Sequence, residues 1–508
     1  MFRKVLIANR GEIAVRVVRA CHEMGIAAVA VYSDADRDSL HVPFADYAYR
    51  IGPAPSRESY LCVDKILAVA RQAGCDAVHP GYGFLAENAD FAEACADMGL
   101  VFIGPSPLAM RKLGSKTAAR RVASDAGVPT VPGTLDPIED LARARSLASE
   151  IGFPLLLKAV AGGGGKGMRA IARESDLEGG WRDAQAEAAN AFGDGRLYVE
   201  KLLRDPRHIE MQILGDWEGR LVHLGERECS VQRRHQKVLE EAPSPVVDRA
   251  LREAMGEAAL RVARAGGYHN AGTVEFLVDA ERRFYFLEVN TRLQVEHPVT
   301  EAVTSLDLVK LQIRIAAGER LPLRQEDVAV RGHAIECRIY AEDPENHFFP
   351  SPGKILALRL PEGPGIRNDV GVAALWTVPP DYDPILGKLI AWGADREEAR
   401  ARLGRALEEY AVVGIKTNLG MFRRLVRDPE FARAAAHTAW LDDWLRRSGT
   451  SSPSPSPAAP EEENAAALVA ALWATASAVP RASAPVAPSP WKLQGRADEL
   501  DNQPRRGR

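Results

Sequence analysis

Six cysteines are spread through 508 residues, and no two of them form a C-x-x-C pair. That absence excludes the paired-cysteine zinc and thiol-redox motifs. Four of Cys21, Cys62, Cys75, Cys95, Cys229 and Cys337 sit inside apolar periodic segments, the pattern of reduced, buried thiols. No window reaches the roughly 18 uninterrupted apolar residues of a membrane span. The start, MFRKVLIANRGE, has only a five-residue apolar run before Asn9 and Arg10, too short for a secretory signal. An excess of one charge is also missing. The chain has 65 basic and 69 acidic side chains for a net charge of −4. Such a balance gives no global field for nucleic acid or anionic membrane, so charge must act locally. A soluble, cytoplasmic protein is expected, with neither nucleic acid nor membrane as partner.

What is present is ordinary globular composition, 46% apolar and 26% charged. The length exceeds one compact core, and two to four subdomains are expected. Up to residue 105, short apolar runs alternate with helical patterns. KVLIA (4–8), AAVAVYS (27–33), DAVHP (76–80) and LVFIG (100–104) read as strands. EIAVRVVRACHEMG (12–25), SYLCVDKILAVARQAG (59–74, stopped by Gly74) and NADFAEACADMG read as helices. This alternation predicts a parallel α/β sheet. Two further helical segments follow, KTAARRVASDAGVP and DLARARSLASEIG. From about residue 196, alternating patterns predict antiparallel strands at 208–216, 273–279, 284–292 and 333–342. Residues 395–425 return to helix. SGTSSPSPSPAAP reads as a linker, EEENAAALVAALWATA as a short helix, and DNQPRRGR as a disordered end.

The stretch AVAGGGGKGM (159–168) has the composition of a phosphate loop. A Walker A loop would need a hydroxyl after the lysine, but Lys166 is followed by Gly167 and Met168, and Val160 occupies the first glycine position. Gly162, Gly164 and Gly167 satisfy G-x-G-x-x-G, yet a dinucleotide loop must open into a helix. Here the loop lies between the strand FPLLLKAV and the short alternating segment MRAIARESD. Kinases place the phosphate lysine after their glycine loop, and the chain has neither H-R-D nor D-F-G. What remains is a hairpin lid closing backbone N–H groups over a nucleotide's phosphates, with Lys158 just ahead of it.

In TVEFLVD-AERR-FYFLEVNTR, Glu288, Asn290 and Arg292 share one strand face while Leu287 and Val289 point inward. A hairpin with a four-residue loop, Ala280–Arg283, sets Glu275 opposite Glu288. Like charges across a ladder repel, so the pair suggests an intervening divalent cation. An oxygen-donor set completed by phosphates suits Mg²⁺ or Mn²⁺. In HIEMQI, His208, Glu210 and Gln212 share a face. In ECSVQRRHQKVLEEAP (228–243), Arg233, Arg234, His235 and Lys237 cluster, which suggests a small anion; nucleic acid would want interleaved aromatics.

Together ANRGEIAVR (8–16), HPGYGFLAEN (79–88), FPLLLKAVAGGGGKGM (153–168), RRHQKVLEEAP (233–243), FLEVNTRLQVEHPVTE (286–301) and ECRIYAEDP (336–344) resemble biotin carboxylase, the ATP-grasp component of biotin-dependent carboxylases. The resemblance runs from about residue 2 to 445. It implies an N-terminal parallel α/β domain (1–113), an ATP-grasp domain (114–330, lid about 131–203) and a C-terminal antiparallel domain (331–446), with a linker, helix and tail at 447–508. The implied reaction uses ATP, bicarbonate and two Mg²⁺ or Mn²⁺ ions to carboxylate N1 of carrier-bound biotin through carboxyphosphate.

Residue by residue, Lys116 and Lys158 resemble nucleotide-binding lysines, with Gly163, Gly164, Gly165 and Met168 in the lid. Glu200, Lys201 and Leu203 resemble the adenine-reading hinge. His208, Gln232 and His235 resemble the ribose and phosphate contacts, and Glu275, Glu288 and Asn290 the metal ligands. Lys237, Arg292, Gln294 and the Val295 backbone resemble the bicarbonate pocket, with Tyr82 beside the substrates. Glu296 resembles the general base, and Arg338 the cation that stabilises the biotin enolate.

The lid's Ala161 and Lys166 look more like acyl-CoA carboxylase α-subunits, of the propionyl or methylcrotonyl kind, than stand-alone acetyl-CoA carboxylase subunits. The biotinylation motif A-M-K-M is absent, and SPWKL near residue 490 resembles only the start of the usual continuation. The resemblance thus implies a carrier protein and carboxyltransferase on other chains, or a truncated α-subunit, and a homodimer. A carbamoyl-phosphate synthetase-like ligase and a non-catalytic fragment are the alternatives.

Overall fold

The structure, a computed structural model, describes residues 1–134, 136–138, 140–160 and 168–448. The glycine stretch at 161–167, with Gly163, Gly164 and Gly165, lies outside the described residues, as do the linker, the expected helix and SPWKL beyond 448.

The first apolar runs form a five-stranded parallel sheet ordered Tyr47–Gly52, Ala27–Ser33, Lys4–Ile7, Ala77–His79, Val101–Phe102. Val5, Leu6, Ile7, Val29 and Val78 are buried, as expected of parallel strands covered on both faces. The helix Val63–Ala73 ends where expected, because Gly74 takes the left-handed conformation at φ 65°. Tyr47–Gly52 carries no apolar run and was not legible as a strand. It is an edge strand, half exposed, paired only with Ala27–Ser33. The order in which strands are added reverses between Lys4–Ile7 and Ala77–His79, the first three running to one side and the last two to the other, and a crevice opens at such a switch point. Asn9 spans it, donating from Nδ2 to the carbonyls of Pro80 and Tyr82, both at 2.7 Å.

An eight-stranded antiparallel sheet carries most of the remaining chemistry. Its order is Phe284–Asn290, Asn270–Val278, Arg207–Gly215, Leu221–Arg233, Gln236–Ala242, His333–Tyr340, Ile385–Gly393, Ile366–Val370. The pairing of Gln236–Ala242 with His333–Tyr340 makes the sheet continuous across residue 330. The alternation in HIEMQI does not mark a solvated face: His208, Glu210 and Gln212 are all buried. Their polar side is internal, which requires every group on it to find a partner.

The hairpin carrying the opposed carboxylates differs in detail from the expected one. Near the turn Val278 pairs with Phe284, and Asp279 donates its N–H to the Arg283 carbonyl, leaving a three-residue loop with Arg282 at φ 63°. A register shift between Glu275 and Phe276 then inserts one residue on the partner strand. The shorter loop and the bulge cancel, and Glu275 does face Glu288.

Lys158 lies on Leu155–Ala159, the middle strand of a three-stranded sheet between Met168–Ile171 and Leu197–Lys201. Lys158 pairs with Met168 antiparallel, so the glycine stretch joins two strands of one hairpin. Residues 395–425 are not continuously helical. Helices Arg396–Glu409 and Leu419–Leu425 are separated by Ala411–Val413, which pairs with Ala357–Arg359. No described helix is long and apolar enough to cross a membrane.

Candidate active site

The antiparallel sheet, the strand hairpin of residues 221–242 and the turn after Asn290 converge on one buried cluster. Lys237 is its centre. Its ammonium donates to Glu210 (2.5 Å), Glu275 (2.7 Å) and Glu296 (2.8 Å). Glu296 is held from its other oxygen by Arg338 at 2.9 Å, and Arg338 also donates to Glu240 at 2.7 Å. Arg227, fully buried, binds Glu210 and donates to Gln212 (2.6 Å), Thr300 and Thr273 (both 2.9 Å). Each carboxylate is thus met by a cation, the condition under which charges tolerate burial.

The electrostatics follow from that packing. Burial drives the Glu296 carboxyl upward, but Lys237, Arg338 and Arg227 outweigh it and hold Glu296 well below the usual carboxylate range. Glu275 is likewise lowered, burial being overcome by Lys237 and His208. Lys237 is raised well above an ordinary lysine because its three carboxylates outweigh its burial. Glu240 goes the other way. Burial dominates, Arg338 only partly compensates, and the group is pushed up to about 7.

The second tier fixes orientation. Arg292 donates to Glu87 (2.9 Å), to the side-chain Oδ1 of Asn290 (3.1 Å) and to the side-chain Oε1 of Gln294 (2.9 Å). Asn290 and Gln294 then turn their amides to Glu275 at 2.9 and 3.1 Å. His208 is set between Gln232 at 2.9 Å and Glu275 at 2.8 Å. Glu288 is met by Lys116 at 3.1 Å, a lysine that is otherwise largely exposed.

Two cavities open on this cluster. The larger, about 1010 Å³, is lined by Lys116, Lys158, Met168, Glu200, Lys201, Leu203, His208, Gln232, His235, Lys237, Glu275, Glu288, Asn290 and Arg292. The smaller, about 430 Å³, sits at the crevice of the parallel sheet and includes Arg10, Tyr82, Tyr382 and Asp383. Gln236, Arg292, Val295 and Arg338 line both. Among the described residues, those expected at the site line these cavities, Tyr82 on the smaller side; Glu296 lines neither and reaches them only through Lys237 and Arg338.

Some expectations need correction. The four basic residues of 233–237 do not form one anion cluster. Arg234 and His235 make the turn, at φ 50° and 66°, which throws neighbouring side chains apart. Arg233 leaves to bind Glu342 at 3.1 Å and to lie over Phe348; only His235 and Lys237 reach the cavity. The opposed pair Glu275 and Glu288 is not left to repel, because Lys237, His208 and Lys116 neutralise it. The pair still fits a hard divalent ion. Both carboxylates line the larger cavity, and among the described residues the counter-charge on Glu288 is a largely exposed lysine.

Sequence reasoning gave no role to Glu87, Arg227, Glu240 and Lys388, or to Arg10, Tyr382 and Asp383 in the smaller cavity. Lys388, a lone charge in ILGKLIAWG, was the clearest available signal.

Fold and site define an ATP-grasp enzyme of the ligase class. Family models match in sequence: biotin carboxylase N-terminal domain at residues 1–110, carbamoyl-phosphate synthase L chain ATP-binding domain at 115–324, and biotin carboxylase C-terminal domain at 336–443. A biotin carboxylase of Halalkalibacterium halodurans is 54% identical over 446 residues, covering 88% of this chain and 98% of that protein. The mitochondrial methylcrotonoyl-CoA carboxylase subunit alpha of Dictyostelium discoideum is 46% identical over 493 residues, 97% of this chain and 70% of that one. The biotin carboxylase domain dimer of Hydrogenobacter thermophilus 2-oxoglutarate carboxylase, solved with MgADP, ADP and bicarbonate, superposes with a TM-score of 0.82 at 46% identity, covering 87% of this chain and 98% of that one. The chain belongs to the biotin carboxylase family.

Proposed function

We propose that this chain carboxylates biotin with bicarbonate at the expense of ATP, and that Glu296, Lys237, Arg292 and Arg338 carry the chemistry. The observation that carries the reading is the placement of Glu296. It is fully buried between Lys237, which lines the larger cavity, and Arg338, which lines both, so the two cations stand between the base and the space open to substrates. ATP occupies the larger cavity, its phosphates toward Lys116, Lys158 and His235 and its base toward Glu200, Lys201 and Leu203. Glu275 and Glu288, with Asn290, would hold the divalent ion, which when bound neutralises phosphate charge.

Bicarbonate sits against Lys237, Arg292, Gln294 and the Val295 backbone. Attack of an anion on the γ-phosphate requires the local cations to offset repulsion. The protein's own charges also prepare the base. With Lys237 and Arg338 both on Glu296, its carboxylate is a weak base; an anion that shares those cations withdraws part of that stabilisation and makes Glu296 a better proton acceptor. Carboxyphosphate forms and breaks down to CO₂ and phosphate. Released phosphate removes the N1 proton of biotin, which enters from the side of Tyr82, and Arg338 stabilises the ureido oxyanion because a guanidinium stays charged throughout.

The biotin acceptor is carried by a separate carrier protein, with a carboxyltransferase on another chain and this chain acting as a dimer, in an acyl-CoA carboxylase. The likeness to the Dictyostelium alpha subunit, extending over 493 residues, favours that setting. The test is ATP cleavage measured with and without bicarbonate and free biotin. Bicarbonate-dependent ADP release, stimulated by biotin, is expected; turnover indifferent to both would contradict the reading.

A further inference from the structure

Lys388 lies in the strand Ile385–Gly393 and has no solvent exposure. On the sheet it is flanked by Arg338 on one neighbouring strand and Asp369 on the other. An isolated ammonium there would be prohibitively costly, so its contacts are informative. It donates a 2.8 Å hydrogen bond to the carbonyl of Val295 and lies 3.4 Å from Glu12, at the start of the first helix. The helix start comes this close because Gly371 lacks a side chain. A Cβ at Gly371 would fall 2.3 Å from the Glu12 nitrogen.

The Val295 carbonyl belongs to the peptide plane that ends at the Cα of Glu296. That plane is rigid, so a bond to its oxygen fixes the direction of the Glu296 N–H and the position from which the Glu296 side chain leaves. Glu296 precedes the helix His297–Thr304, at a turn that no strand ladder restrains. The clamp on its carbonyl neighbour is therefore a principal anchor of the base.

We propose that Lys388 is a positioning residue for the carboxylation reaction: by holding the Val295 carbonyl it sets both the Val295 backbone of the bicarbonate pocket and the Glu296 carboxylate between Lys237 and Arg338. The proposal rests on the function argued above. Lys388 lines neither of the two cavities; its ammonium also lies 5.6 Å from the centre of the Tyr82 ring, but it meets the base only through this peptide. Glu12 supplies its counter-charge from the N-terminal domain, so the clamp also ties the base to the crevice that holds Tyr82 and Arg10.

The test uses Lys388→Met together with Lys388→Met/Glu12→Gln, the second removing the carboxylate that the first leaves without its cation. In the full-length double variant, kcat/KM for bicarbonate is expected to fall about tenfold to hundredfold, the scale for misplacing a catalytic group. KM for ATP stays within about twofold, and the thermal midpoint recovers relative to the single variant. Wild-type kcat/KM for bicarbonate in the double variant overturns the proposal, as does an equal loss in ATP and bicarbonate kinetics, which a general structural role would produce. Wild-type protein assayed alongside separates the two ideas. Lack of bicarbonate-dependent turnover in wild type overturns the function itself, whereas a normal wild type with a normal double variant overturns only the role of Lys388.

Discussion

Glu275 and Glu288 stand opposite one another on adjacent strands, and the bulge beside Glu275 is what puts them there. The two do not share an environment. Glu275 is buried under Lys237, His208, Asn290 and Gln294, while among the described residues Glu288 is paired with the exposed end of Lys116. One carboxylate is fixed and the other is free to reorganise around a cation.

Glu288→Gln should therefore weaken the divalent-ion requirement without unfolding the protein. The Mg²⁺ concentration for half-maximal ATP cleavage is expected to rise about tenfold or more, with the thermal midpoint unchanged within error. An unchanged Mg²⁺ dependence would remove Glu288 from the metal site.

Arg227 tests the buried network from the other side. Replacing it by Met removes one of the two cations on Glu210, leaving Lys237 alone there, and takes the Arg227 hydrogen bond from Gln212, Thr273 and Thr300. Removing one member of a buried pair destabilises by about 3–5 kcal/mol. Denaturant unfolding should show a loss of that order; a loss under about 1 kcal/mol would mean that the network is not structural.

Glu12 gives a pH dependence with a definite sign. Burial pushes it up to about 7, against partial compensation by Lys388, with Asp369 adding to the rise and Arg367 opposing it. A carboxyl whose folded value is raised makes the folded state hold more protons than the unfolded one, so its contribution falls as pH climbs from about 4.5 to about 7. Glu12→Gln mimics the protonated group. Thermal midpoints of the two proteins should converge near pH 4.5, with the variant gaining on wild type up to about pH 7 and holding that gain above it. A variant that loses ground as pH rises contradicts the assignment.

Glu296→Gln keeps the hydrogen-bonding shape but cannot accept a proton. Bicarbonate-dependent turnover should fall by about 10²–10⁴-fold, while nucleotide binding, measured by calorimetry with ADP, is retained.

How far the sequence reached depends on range. Period-two alternation was enough to put Glu288 and Asn290 on one face, because that is a property of the strand itself, but the strand ends at Asn290 and Arg292 lies in the turn beyond it. The same reasoning identified the polar side of HIEMQI but not its burial, which is created by Arg227 arriving from the adjacent strand. Arg233 and Lys237 were legible as basic residues, yet their separation follows from a tight turn at Arg234 and His235 that composition does not reveal. Arg10, Tyr382 and Asp383 meet in one cavity across more than one element, and no local pattern records such a meeting. Tyr47–Gly52 escaped because an edge strand need not be apolar.

Transfer of labelled carbon from bicarbonate to free biotin, compared between wild type and Arg338→Ala, tests the central claim most directly. Wild type should form carboxybiotin in step with ADP release, and the variant should release ADP with bicarbonate present while forming little carboxybiotin. Equal carboxybiotin per ADP in both proteins, or none in wild type, would contradict the account.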